Sequence, residues 1–116
     1  MTTRTFEVKN YSIHLTRNMS QAPGSNAVVQ CKGADGETYS VLFYMTGDHL
    51  PNNFTNFSEG TVGISHRPST EYIWYIDLLR NEHPVWATLD DRNPDQNRIW
   101  CSEPVGEGEI FVRPSE

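Results

Sequence analysis

Cysteine and long apolar runs are both scarce in this chain of 116 residues. Two cysteines are too few to make a disulfide framework. No apolar run approaches the ~20 residues of a transmembrane helix, and the first residues do not form the apolar core of a signal peptide. The sequence therefore predicts a cytoplasmic protein with reduced thiols and no membrane association.

Positive charge is scarce as well. Nine Lys and Arg residues stand against fifteen Asp and Glu residues, and the formal net charge is -6. Nucleic-acid binding depends on clustered basic side chains, which replace the counterions around the phosphates. This composition disfavours a nucleic-acid partner and leaves a protein partner as the better hypothesis.

Motifs for metal or cofactor binding are missing. Neither Cys31 nor Cys101 stands at a zinc-ligand spacing from the other or from a histidine, and both have apolar neighbours that are typical of core positions. The acidic turn over residues 91–95 spaces its oxygens like the start of a calcium loop. Gln96 then replaces the required glycine, and Ser102 stands where the closing acid belongs. We therefore predict neither a metal site nor a cofactor.

Seven prolines are spread along the chain and leave little room for long helices. The segments between them are short and rich in β-branched and aromatic residues, which favours strands. We predict an all-β fold, or a mainly β fold with one short helix. It would be a small single-domain barrel or sandwich of about eight short strands covering residues 1–116.

Two local patterns support this prediction. Apolar residues alternate on either side of the turn at residues 33–36, whose glycines can adopt positive φ, so a hairpin is expected there. Near the start of the chain, Phe6 and Val8 share one parity, whereas Tyr11 and Ile13 share the other. Because a strand keeps its apolar face at period two, a β-bulge or tight bend is expected near residues 9 and 10.

The run from Tyr72 to Leu79 is apolar or aromatic on both faces, and Asp77 is its one charged residue. Such a run is typical of a strand that is covered on both sides. We therefore predict a strand within residues 70–81, joined by a hairpin loop to a second strand over residues 85–89. A helix is the alternative, because apolar residues in this run also recur at helical spacing.

The aromatic residues are the best indication of function, because large rings are enriched in the cores of protein interfaces. We predict a small binding or adaptor module that acts through contact with a protein partner or with itself as a homodimer. The proposed interface combines rings of the predicted aromatic hairpin and of the long irregular segment 46–60: Tyr72, Trp74, Trp86, Phe54 and Phe57.

Two other hypotheses belong to different classes of protein. The first is a small-ligand-binding β-barrel in which residues 46–60 act as a lid. The second is a hydrolase or lyase with a dispersed site, for which His66, His83 and Asp77 are the candidates. No residue pattern in the sequence requires catalysis, so an enzyme is the less favoured interpretation.

Overall fold

Residues 3–15, 25–45 and 49–101 are described by a computed structural model of the chain. Within them lie eight strands, one α-helix and two single-turn 3-10 helices, so the predicted mainly β fold with one short helix is confirmed. The sequence also indicates a strand at residues 110–112 and a loop at 18–26, but this strand and most of the loop lie outside the described residues. The strands are β1 (Thr3–Glu7), β2 (Asn10–Leu15), β3 (Ser25–Lys32), β4 (Thr38–Tyr44), β5 (Phe54–Asn56), β6 (Val62–Pro68), β7 (Val85–Asp90) and β8 (Arg98–Cys101); the helix α1 is Tyr72–Asn81, and the 3-10 turns are Ser69–Glu71 and Pro94–Gln96.

The strands form two sheets that are not closed into a barrel. Sheet A is antiparallel and has the order β1-β7-β8. Sheet B has the order β2-β3-β4-β6-β5, in which only β4 and β6 run parallel. Among the described residues, no helix has both the length and the apolar character needed to cross a membrane.

The change of parity near the start of the chain marks the place where one strand passes from sheet A to sheet B. The amide of Val8 donates to the carbonyl of Val85 in β7 at 2.8 Å, and the next amide, that of Lys9, donates to the carbonyl of Lys32 in β3 at 2.8 Å. The predicted bend is thus present at these two residues. Because the chain turns here, Phe6 before the bend and Tyr11 after it can both face the core.

The predicted hairpin is also present and joins β3 to β4. Gly36 adopts φ +88°, a backbone region that favours glycine. The amide of Gly33 donates to the carbonyl of Glu37 at 2.9 Å and closes the turn. The hairpin presents alternate side chains of both strands to the interior.

One apolar core lies between the two sheets and α1. Burial raises the pKa of the Cys31 thiol to about 12, so this cysteine is neutral and unreactive at neutral pH. The phenol of Tyr39 donates to Ser65 Oγ at 2.8 Å, which satisfies the buried hydroxyl. The largest side chains with less than 2% exposure are Tyr39, Phe43, Leu89, Val29, Val41 and Cys31.

The prediction of a strand over residues 70–81 is wrong, because this segment forms α1 after a single 3-10 turn. The rings of Tyr72 and Tyr75 meet Phe43 edge-on at 5.3 and 5.2 Å, and Ile76 and Leu79 are buried. These four positions follow helical spacing, so their burial against sheet B outweighs the strand propensity of single residues. The expected aromatic hairpin therefore does not exist, and β7 pairs with β1 and β8 instead.

Asn97 ties the end of sheet A to β5 of sheet B. Its Oδ1 accepts from the amide of Asp90 at 2.7 Å and from Thr55 Oγ1 at 3.1 Å. Its Nδ2 lies 2.8 Å from Thr55 Oγ1 and donates to the carbonyl of Phe54 at 3.4 Å. Gly63 of β6 makes room for this network, because a Cβ there would lie 2.8 Å from Leu89 Cδ2 and 3.3 Å from Asn97 Nδ2.

Candidate protein-contact surface

Two of the five predicted interface residues belong to α1, where they have different environments. Trp74 is 67% exposed, and its neighbour Ile73 is 61% exposed. Tyr72 is half-buried against Phe43 and supports the helix. Trp74 is therefore available to a partner, whereas Tyr72 has a structural contact.

The other three predicted residues lie on other elements. Phe54 is 46% exposed on the edge strand β5, and the guanidinium of Arg4 covers the ring of Phe57 at 4.4 Å. Trp86 of β7 stacks on Trp100 of β8 with ring centroids 6.0 Å apart. No ring contact joins any two of the five residues, although all five belong to the described ranges. They are distributed over α1, sheet A and the edge of sheet B.

A groove of about 200 Å³ lies between α1 and β8. Trp74 and Leu78 are four positions apart and thus share the side of the helix that borders it. From the strand, Ile99 forms the apolar wall, and Arg98 contributes the charged end. This surface, called the α1–β8 groove below, is lined by Glu71, Trp74, Tyr75, Leu78, Arg98 and Ile99.

The opposite face of β8 belongs to the outer surface of sheet A and carries the Trp86–Trp100 stack. Trp100 Nε1 donates to Thr88 Oγ1 at 2.9 Å, and that hydroxyl lies 2.9 Å from Thr5 Oγ1. Trp100 keeps 37% of its surface exposed. Trp100 is thus partly exposed on one face of β8, and the half-buried Ile99 lies on the other.

The register of sheet A fixes the direction in which the backbone groups of β8 point. The Val8 amide donates to the carbonyl of Val85, so the backbone groups of Val85 point toward β1. Backbone direction alternates along a strand, and the amide and carbonyl of the next residue, Trp86, therefore point toward β8. Trp86 is opposite Trp100, so the amide and carbonyl of Trp100 point to β7. Those of Ile99 point the other way, and in sheet A β8 has no described neighbour on that side.

The two charged side chains of the groove have unequal partners. Glu71 accepts from Arg67 at 2.7 and 2.5 Å in a two-point contact. Arg98 donates to the carbonyl of Gln96 at 3.1 Å, and no carboxylate among the described residues forms an ion pair with it. The guanidinium of Arg98 can therefore receive an aromatic ring or an anion from a second molecule.

Sequence reasoning did not identify Arg98, Ile99 and Trp100 as interface candidates. The apolar and aromatic residues at 99–101 indicate a short strand, but the sequence does not show the place of this strand in a sheet. The stacking of Trp100 on Trp86 depends on the β7–β8 register, which is a tertiary property. The tryptophans were the only sequence feature that could have indicated this surface, and the predicted interface included Trp74 and Trp86 but not Trp100.

The residues of the catalytic hypothesis are not brought together. Asp77 accepts from Asn81 Nδ2 at 2.6 Å on the exposed side of α1. The ring of His66 lies 5.7 Å from that of Tyr44, and His83 borders a separate cavity of about 240 Å³. No hydrogen bond joins any two of the three, all of which are described. Nor do the described residues contain a group of three or more potential metal ligands from His, Cys, Asp and Glu.

His66 is expected to make stability depend on pH. Burial lowers the pKa of its imidazole, a backbone hydrogen bond with Asn52 opposes that shift, and Nδ1 is buried without a partner. The unfolded chain, with a histidine pKa of about 6.5, binds more protons than the folded one just below that pH. Stability should therefore fall as the pH drops below about 6.5, which urea unfolding between about pH 7 and 5 would measure.

The matched comparison for this pH effect is His66→Gln against His83→Gln. The first substitution should flatten the dependence of stability on pH, because glutamine does not titrate. The second replaces an exposed histidine and should leave the wild-type slope. An unchanged slope in His66→Gln would contradict the assignment.

Comparison with known proteins leaves the surface to be interpreted from its geometry. No family model matches the chain, and neither the curated proteins nor the solved structures contain a match to it.

Proposed function

We propose that this protein is a binding module that contacts another polypeptide through the α1–β8 groove. The single observation that carries the proposal is the position of Trp74, which is 67% exposed directly beside an apolar groove. A tryptophan held on a helix offers a large apolar area at a small entropic cost. Tryptophan is also among the residues that most often dominate the energy of protein interfaces.

The size of the groove supports a protein partner over a small ligand. Its volume of about 200 Å³ is below the ~300–1,000 Å³ of typical small-molecule pockets. Such a space accommodates one or two side chains of a partner. Large side chains such as Tyr39, Phe43 and Leu89 fill the region between the sheets, where a ligand-binding barrel would need its cavity.

The segment proposed as a lid for that barrel has another role in its described part. Residues 54–56 form β5 and pair with β6 at the edge of sheet B. The amide of His66 donates to Asn53 Oδ1 at 2.8 Å, which extends this attachment. The middle of the segment is therefore attached to the edge of sheet B, an arrangement that gives the lid hypothesis no support.

Quantitative affinity capture with the wild type and Trp74→Ser tests the proposal. We expect the partners captured by the wild type to decrease about tenfold or more with the variant, because truncation of an interface tryptophan commonly costs 2 kcal/mol or more. Each captured protein would then be purified, and its affinity for both forms measured directly by calorimetry.

The matched control is Phe54→Ser, which removes another exposed ring from a different edge of the molecule. It should retain the partners, because β5 belongs to sheet B and is not part of the groove. Equal capture by the wild type and folded Trp74→Ser would contradict the proposal. Loss with both variants would indicate nonspecific adhesion to exposed aromatic groups and would also contradict it.

A further inference from the structure

We infer that the cavity of about 240 Å³ beside His83 binds a small single-ring aromatic acid. This cavity, called the junction cavity below, lies where the chain passes from sheet A to sheet B at Val8 and Lys9. It shares no lining residue with the α1–β8 groove. Its function as a ligand site is therefore independent of the proposed protein contact.

The junction cavity reaches the apolar core of the protein. Two of its lining residues, Leu79 of α1 and Val85 of β7, are only 3% and 4% exposed. Val8 and Tyr11 complete its apolar part, and both pack against the core. The residues that line the α1–β8 groove are, by contrast, half-buried or exposed. A ligand in the junction cavity would therefore be largely shielded from water, as bound small molecules usually are.

The volume of the junction cavity sets the size of the ligand. An apolar cavity of about 150 Å³ is large enough to bind benzene, whereas drug-sized ligands need ~300–1,000 Å³. At about 240 Å³, this cavity accommodates one aromatic ring with a short polar substituent. The wall formed by Leu79 and Val85 suits the ring, because binding there removes the apolar surface of the ring from water.

The charge of the lining favours an anion, although the whole chain has a formal net charge of -6. Among the described residues that line the cavity none has a carboxylate, and Lys9 provides a positive charge. Lys9 Nζ donates to Glu7 Oε1 at 3.0 Å. Because an ammonium group has three donors, two remain for the carboxylate of a ligand. Lys32, whose carbonyl accepts from the Lys9 amide, is exposed and adds positive charge nearby.

Three neutral polar side chains also line the junction cavity: Asn10, Tyr11 and His83. None of them makes a side-chain hydrogen bond with a described residue, so their donors are available to a ligand. The amide of Asn10, the hydroxyl of Tyr11 and the ring N–H of His83 can each donate to a carboxylate. Small-molecule sites typically combine an apolar wall with a few such polar groups. A single-ring acid is the class of ligand that uses both parts of this cavity.

NMR titration of the isotope-labelled chain with benzoate and with phenylacetate tests the assignment. We expect saturable shifts of the amides of Lys9, Asn10, Leu79 and His83, with a dissociation constant of about 1 mM for so small a ligand. Isotope-filtered NOE spectra should show contacts between the ring protons of the ligand and the methyl groups of Leu79 and Val85. The inference is overturned if neither acid causes a saturable shift up to about 10 mM. NOEs only to residues outside the cavity would overturn it as well.

Charge variants test the role of Lys9 in binding the carboxylate. Lys9→Met should weaken benzoate binding about tenfold, because a charge-assisted hydrogen bond is lost. Glu7→Gln should strengthen it about threefold, because the competing carboxylate is removed. The matched control is Lys32→Met, which removes the same charge outside the cavity and should change the affinity by less than about twofold. The same spectra report whether each variant is folded.

The outcomes separate a specific site from general attraction of anions. Weakening by Lys9→Met together with strengthening by Glu7→Gln supports the assignment, whereas equal weakening by Lys9→Met and Lys32→Met overturns it. Benzyl alcohol, a neutral ligand of similar size, should bind the wild type and Lys9→Met equally. Trp74→Ser changes the proposed protein-contact surface and should leave the affinity for benzoate unchanged, so either assignment can fail without the other.

Discussion

Replacing Asn97 with alanine should lower the free energy of unfolding by about 3 kcal/mol, a large effect for a single polar side chain. Asn97 is 8% exposed and contacts Asp90, Thr55 and Phe54 through both ends of its amide. Its removal would leave the Asp90 amide without that acceptor and would remove the hydrogen bonds by which Asn97 joins sheet A to β5. Urea unfolding monitored by tryptophan fluorescence would measure the change.

Asn93→Ala is the matched control in the same turn, because Asn93 is exposed and its side chain makes no hydrogen bond with a described residue. It should change stability by less than about 0.5 kcal/mol. Thr55→Val should be intermediate, since it removes only the hydroxyl from the network. If Asn97→Ala unfolds at the same urea concentration as Asn93→Ala, the proposed role of the network is wrong.

Replacing Phe43 with alanine should lower the free energy of unfolding by about 4 kcal/mol. The side chain is fully buried and meets Tyr72 and Tyr75 of α1 edge-on. Its loss leaves a cavity under the helix, and the two aromatic contacts disappear with it. Because domains of this size are stable by only about 5–15 kcal/mol, the variant should be close to unfolding at physiological temperature.

Hydrogen exchange distinguishes this mechanism from general destabilisation. In Phe43→Ala, the amides of α1 should lose more protection from exchange than those of the β3–β4 hairpin, because the helix loses the ring on which Tyr72 and Tyr75 pack. Phe43→Leu fills much of the volume and should retain more of the stability. Phe54→Ala, at a 46% exposed ring, should cost less than about 1 kcal/mol. Equal protection of the α1 amides in the wild type and Phe43→Ala would contradict the role of Phe43 in holding the helix on sheet B.

The patterns that predicted structure correctly were those with a local physical cause. The period of two on either side of the glycine-rich turn predicted the β3–β4 hairpin. The parity change between Phe6 and Tyr11 predicted the bend at Val8 and Lys9. That this bend carries the chain from one sheet to another could not be predicted, because it depends on partners in β3 and β7, distant in sequence.

The helix was missed because of the residues that it leaves exposed. Tyr72, Tyr75, Ile76 and Leu79 form a regular helical face, but Ile73 and Trp74 add apolar residues outside it. The segment therefore lacked the polar side by which an amphipathic helix is recognised. The same surplus of apolar surface makes α1 a candidate for contact with a partner, so the failed prediction and the candidate surface have one physical origin.

The prediction of the site was limited in a similar way. Trp74 and Phe54 are exposed, whereas Tyr72 and Phe57 pack against other side chains of the chain. Composition can indicate that rings are abundant, but it does not separate core rings from surface rings. That separation depends on which face each element presents to the core, and for β8 it also depends on the register.

The strand that passes between the sheets has a consequence for the order of events during synthesis. β1 pairs with β7, and Thr5 and Thr88, whose hydroxyls meet, are 83 positions apart. β2, by contrast, pairs with the next strand in sequence. On the ribosome, β2, β3 and β4 can assemble as they emerge, but β1 has to wait for most of the chain. Until β7 arrives, Phe6 lacks its neighbours in sheet A, and the nascent chain presents an unpaired edge that a chaperone could recognise.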